Sequence, residues 1–154
     1  MKNKLSSSIE DYLEAIYELE ISEEEVRVKD IAKKLDINPA SVTEILYKMQ
    51  DLELAEHKRY GKVSLTEKGQ GIAKKIYDRH KTIVEFLSDI LGVDKKQAEE
   101  DSCKIEHSVS DKTMGKLVKF IEFIQNNPHG KPLWLKHFEY YLDQKKYPPQ
   151  CLEK

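Results

Sequence analysis

Apolar residues recur every three or four positions along most of the chain, and the breaks in that rhythm divide it into helices. Ile9, Tyr12, Leu13, Ile16, Tyr17 and Leu19 form one stripe behind a capping Ser8, which predicts a helix over 9–19. The acidic residues Glu23, Glu24 and Glu25 end it as a solvated turn. Ile31, Ala32 and Leu35 mark a second helix over 29–35. After the turn 36–38, Asn38 as N-cap and Pro39 at the first helical position open a third helix over 39–52. Two short helices joined by a turn of a few residues form a helix-turn-helix.

The rhythm then changes. Residues 54–58 and 62–65 are short β-capable runs around Arg59, Tyr60 and Gly61, the pattern of a small hairpin or wing. Helical spacing returns over 67–91 and breaks at Gly92. It resumes from Lys95 to His107, and again from Ser110 or Asp111 to Asn126. The segment 127–132, with two prolines and a glycine, is a turn before a short helix and a loose tail. The expected fold class is mostly α: a winged helix-turn-helix DNA-binding domain over 1–71, followed by an all-helical dimerisation and metal-binding domain over 72–154.

Composition narrows the function. The formal net charge is −2, yet residues 26–75 carry nine Lys and two Arg against three Asp and four Glu, a net +4. Residues 1–25 carry two Lys against one Asp and seven Glu, a net −6. A basic block over the helix-turn-helix suits contact with phosphates. No apolar run approaches the roughly 20 residues that span a bilayer, and no apolar stretch follows the basic start as a signal peptide requires. Two cysteines do not make a disulfide framework, so reduced thiols and a cytoplasmic location are expected.

On the third helix, Val42, Ile45, Leu46 and Met49 have the spacing of a buried stripe, which leaves Ala40, Ser41, Thr43, Glu44, Tyr47 and Lys48 outside. Small residues at the start, Pro39, Ala40 and Ser41, let a helix enter a major groove. The hydroxyls of Ser41 and Thr43 suit base edges or phosphates. Arg27, Lys58, Arg59 and Lys62 are placed to flank it as phosphate contacts.

The most distinctive chemistry lies in Cys103-Lys-Ile-Glu106-His107. A helix advances about 100° per residue, so a thiol, a carboxylate and an imidazole share one face. Burying Glu106 and His107 beside a thiol is costly without a compensating cation, and this donor set suits a divalent transition metal rather than calcium or magnesium. Glu99 lies one turn earlier, while His80, Asp11 and Glu14 offer donors from other helices.

Several stretches together resemble the metal-responsive regulators typified by the diphtheria toxin repressor and the manganese transport regulator. They are the first helix with Asp11 and Glu14, the helix-turn-helix with Ser41-Val-Thr, Leu65-Thr-Glu-Lys-Gly69, Arg79-His80 with Phe86-Leu87, and Ile105-Glu106-His107-Ser-Val-Ser110. The resemblance implies that Asp11, Glu14, His80, Cys103, Glu106 and His107 are metal ligands, and that the helical domain makes a homodimer. Asp11 follows the manganese branch and Cys103 the iron branch. Val84 stands where many members place a glutamate ligand of a second metal, a role for which Glu99 is the substitute. The longer iron-type members add a C-terminal SH3-like domain, for which these 154 residues leave no room. The expected function is a metal-activated, dimeric repressor of metal-homeostasis genes that binds operator DNA and no membrane. Iron(II) is the first choice of metal and manganese(II) the alternative. The rival readings are a winged-helix regulator sensing redox state or a small molecule, and a non-haem metal enzyme.

Overall fold

The computed structural model describes residues 5–22, 25–58 and 61–151. The chain divides into two compact units, Met1–Asp78 and Arg79–Lys154. No helix among the described residues is long and apolar enough to cross a membrane.

The first unit contains α1 (Ser7–Ser22), β1 (Val26–Arg27), α2 (Val28–Leu35), α3 (Pro39–Asp51), β2 (Ala55–His57), β3 (Lys62–Leu65) and the start of α4 (Glu67–Glu85). The α1 helix begins earlier than its apolar stripe because Ser6, not Ser8, caps it. The Ser6 hydroxyl and carbonyl both accept from Ile9 N, and the carbonyl also accepts from Glu10 N. Asn38 caps α3 as its sequence position predicts, its side-chain oxygen accepting from Ser41 N at 2.9 Å. The hairpin forms as expected, with Ala55 opposite Leu65 and His57 opposite Val63. A third strand, β1, adds antiparallel to β3 and gives the order β1-β3-β2. At two residues it is too short for alternation to reveal it.

Leu13, Ile16, Ile31, Val42, Leu46, Met49, Leu54 and Ala73 lie in the core of this unit, all 0–1% exposed. Glu20 ties α1 to the sheet by accepting from Leu65 N at 2.8 Å, and burial pushes its carboxyl above the usual range.

The second unit holds the end of α4, then α5 (Lys95–Ser108), α6 (Asp111–Gln125) and α7 (Leu133–Gln144), with a 3-10 turn at Pro149–Cys151. The predicted single helix over 67–91 keeps its α ladder only to Glu85. Residues Phe86–Ile90 form a wider π turn, closed by Leu91 N donating to Phe86 O. Phe86 and Leu87 both pack on the second core, with Ile83, Ala98 and Met114, and the wider turn accommodates the two neighbours on one side. Gly92, at φ +73°, ends the segment, and Asp94 caps α5 by accepting from Gln97 N.

The junction between wing and α4 depends on one glycine. Leu54 O accepts from Thr66 N at 3.1 Å, and a Cβ on Gly69 would sit 1.9 Å from that carbonyl oxygen. Gly71 has open space around the same position. Gly69→Ala should therefore destabilise the protein by about 1–3 kcal/mol through forced displacement of backbone. Gly71→Ala should instead stabilise it by about 0.5–1 kcal/mol through helix propensity. Urea unfolding of the two variants beside the parent checks this, and equal effects would refute the close approach.

Candidate metal centre and nucleic-acid interface

Two helices of the second unit bring three of the expected donors together. His80, near the end of α4, has Nδ1 3.3 Å from Glu106 Oε2 and Nε2 2.8 Å from Glu99 Oε2. Glu99 and Glu106 are both on α5, seven residues and so two turns apart, which is why they flank one ring. The Glu106 side chain is 3% exposed and that of His80 13%, whereas Glu99 is 60% exposed. Glu106 and His80 are therefore interior groups, and Glu99 closes the solvent side.

Two further residues complete this cluster: Arg79, from the Arg79-His80 stretch of the family resemblance, and Ser102, to which the sequence assigned no role. Arg79 Nε donates to Glu106 Oε1 at 3.1 Å. Ser102, fully buried, has its hydroxyl 3.3 Å from both the His80 carbonyl, to which it donates, and His80 Nδ1. Ser102 is the α5 residue that anchors the backbone and ring of His80 at once.

The chemistry of this cluster fits a divalent cation. A carboxylate buried to this degree needs compensating positive charge, and the Arg79 guanidinium supplies it at Oε1. Oε2 and Nδ1 face each other at 3.3 Å. Two donors each about 2.1 Å from one ion, meeting at roughly 100°, have that separation. Were His80 to hold a cation through Nδ1, Glu99 on Nε2 would be the outer carboxylate that orients the ring. Its contact to the ring supports an orienting role beside its expected role as a ligand.

The remaining donors fall as follows. Cys103 and His107, one turn apart on α5, offer ligand atoms within 4.8 Å of each other from exposed positions. Asp11 and Glu14 belong to the first unit, one turn apart on α1 and both half-buried. Val84 packs against the second core with Ile105 and Val109, which accounts for an apolar residue there.

In the first unit, Val42, Leu46 and Met49 anchor α3, and Ile45 is partly buried against the same core. Pro39, Ala40, Ser41, Glu44, Tyr47 and Lys48 are exposed, as the spacing predicts, while Thr43 is half-buried with its hydroxyl donating to Pro39 O at 3.0 Å. Lys48 pairs with Glu44 at 2.9 Å. Arg27, Val28, Lys29, Pro39 and Gly61 line a concavity of about 320 Å³ beside the N-terminus of α3. A helix N-terminus next to basic side chains is a phosphate-binding arrangement. Arg27 and Lys62 are direct cross-strand neighbours, a pairing that repels. Glu25 relieves it by accepting from Arg27 Nε at 2.8 Å and Lys62 Nζ at 3.2 Å. The bond from Arg27 foremost, and then that from Lys62, holds its carboxyl below the usual range. Lys58 pairs with Glu56. Arg59 lies outside the described residues.

Two family models match the chain. The N-terminal DNA binding domain of iron dependent repressors covers residues 4–63, and their metal binding and dimerisation domain covers residues 66–135. An uncharacterised HTH-type transcriptional regulator of Methanocaldococcus jannaschii is 45% identical over 77% of this chain and 95% of its own length. The HTH-type transcriptional regulator MntR of Listeria welshimeri is 36% identical over 79% of this chain and 84% of its own. Among solved structures, T. acidophilum IdeR matches with a TM-score of 0.65 and 27% identity over 84% of this chain. The manganese regulator SloR matches with a TM-score of 0.63 and 33% identity over 78%. The chain spans 61% and 56% of those two structures' lengths.

Ser102→Ala tests the anchoring of His80. Helix content should be unchanged by circular dichroism and stability should fall by about 1 kcal/mol. Affinity for a divalent transition metal, measured by competition with a chromogenic chelator, should drop about 10–100-fold. Unchanged affinity would show that His80 is held in place without the hydroxyl.

Proposed function

The chain belongs to the iron-dependent repressor family of metal-dependent, DNA-binding transcriptional regulators, and we propose that iron(II) is its activating metal, with manganese(II) the alternative. The observation that carries a metal-switch reading is the interior His80–Glu106 pair, two donors 3.3 Å apart in the second unit. The relatives and neighbours include proteins named for both metals, the iron dependent repressor models on one side and the manganese regulator SloR on the other. The choice of iron rests on Cys103. Its soft thiolate favours iron(II) and later divalent metals, while the hard oxygens of Asp11, Glu14 and Glu106 also accept manganese.

In this reading Asp11, Glu14, His80, Cys103, Glu106 and His107 form the ligand set, with Glu99 orienting His80. A divalent cation bound there supplies the charge that draws several carboxylates, a thiolate and two imidazoles to one place. Asp11 and Glu14 then tie α1 to the helices that carry His80 and Glu106. In a homodimer this restricts the spacing of the two α3 helices to operator half-sites about one helical turn apart. Pro39, Ala40, Ser41, Thr43 and Lys48 face the DNA, and Arg27, Arg59 and Lys62 contact phosphates. On engaging a phosphate, Arg27 and Lys62 exchange their shared Glu25 partner for the DNA backbone. Metal acts by binding the DNA-competent geometry better than the others, since only differential affinity moves a population. The cytoplasm is the proposed location.

A metal titration read out by operator binding tests the whole reading. His80→Ala and Glu106→Ala should each lose metal-dependent DNA binding while remaining folded dimers by light scattering. Retention of unchanged metal dependence in either variant would remove the site.

Exchange of a single donor tests the choice of metal. Cys103→Glu should shift activation toward manganese(II) relative to iron(II), measured anaerobically as the metal concentration for half-maximal operator binding. An unaltered ratio would mean that Cys103 does not set selectivity.

A further inference from the structure

The Glu106 carboxylate has two neighbours of opposite use. Oε2 faces the imidazole of His80, a metal donor, whereas Oε1 accepts from Arg79 Nε at 3.1 Å. Arg79 precedes His80 on α4, so its position is tied to that of the donor itself. A guanidinium stays charged under all conditions in which a protein is folded. Its side chain is 26% exposed against 3% for Glu106, so it reaches the carboxylate from the wetter side and leaves the interior side to the imidazole.

We propose that Arg79 is a stand-in cation for the metal, neutralising the buried Glu106 carboxylate in the metal-free chain and thereby setting how much metal is needed to fill the site. The proposal rests on the metal-site reading above and deepens it. Without metal, an interior carboxylate lacking a cation would be costly, and the guanidinium removes most of that cost. On binding, a dication neutralises the same carboxylate a second time and is repelled by a guanidinium already there. Arg79 therefore stabilises the empty site more than the filled one. The regulator gains a folded metal-free state, and its response moves to higher metal concentration. A purely positioning role, in which Arg79 holds Oε1 so that Oε2 faces His80, would instead favour metal binding.

The two roles predict opposite results. Arg79→Gln keeps a hydrogen-bond donor of similar reach and removes the charge, and Arg79→Lys keeps the charge. Metal affinity is measured on the full-length protein without DNA, by competition of manganese(II) or cobalt(II) with a fluorescent chelator. Thermal unfolding is followed with and without metal. Arg79→Gln should bind metal about tenfold more tightly than the parent and unfold at a lower temperature when metal-free. Its midpoint should also rise further than the parent's on adding metal. Arg79→Lys should stay within about threefold of the parent. Weaker or unchanged binding by Arg79→Gln, with the parent binding normally, would overturn the stand-in role and leave the metal site standing. If Arg79→Gln proves unfolded without metal, rescue of folding by metal supports the proposal and failure of rescue refutes it. A parent protein with no saturable metal binding would remove both the site and this inference.

Discussion

The helical unit is organised around the problem of keeping one carboxylate inside it. Glu106 is 3% exposed, and an ionised group at that depth persists only where positive charge and hydrogen bonds surround it. The arrangement follows from this need. Arg79 and His80, adjacent on α4, take one carboxylate oxygen each, and Ser102 holds His80 from the neighbouring turn of α5. Glu99 closes the outer ring nitrogen of His80. The second core, built on Ile83, Leu87, Ala98 and Met114, fixes the α4 and α5 segments that make this possible.

The DNA-reading unit meets a different constraint, the close passage of backbone at the exit of the wing. Leu54 O bonds Thr66 N and lies against Gly69, so the start of α4 is set directly on the end of the helix-turn-helix. The sheet adds a second restriction. Its register places Arg27 opposite Lys62, two cations beside the N-terminus of α3, and Glu25 holds the pair together. Both cations are thus held on one protein carboxylate, which the proposed phosphate contacts would displace.

Donor chemistry differs within the helical unit. The His80–Glu106 pair is interior and already hydrogen-bonded, whereas Cys103 and His107 are exposed on the same helix. Burial raises the worth of the Glu106 charge, while in the proposed ligand set Cys103 would add a soft, accessible donor. Family membership establishes metal dependence, and this division of labour underlies the choice of metal proposed here.

Much of this was legible along the chain. Apolar spacing located the helices of both units, Asn38 with Pro39 marked the start of the recognition helix, and Gly61 marked the wing. Helical spacing put Cys103, Glu106 and His107 on one face as candidate ligands, whereas only the folded chain set Glu106 inside and left Cys103 and His107 exposed. Other features needed the folded chain. The strand β1 is two residues long, the π turn after Glu85 leaves the apolar spacing almost unaltered, and Ser6 rather than Ser8 caps α1. Arg79 belongs to a stretch that carries the family resemblance, but neither its type nor that of Ser102 indicates a contact with Glu106 or His80. They acquire one because α4 packs on α5, which places a guanidinium on Glu106 27 positions away and a hydroxyl on His80 22 positions away. Sequence determined which residues could hold a cation, since residue type and helical period are local properties. Tertiary structure decided which charges compensate one another, because pairing across such separations depends on how the helices pack.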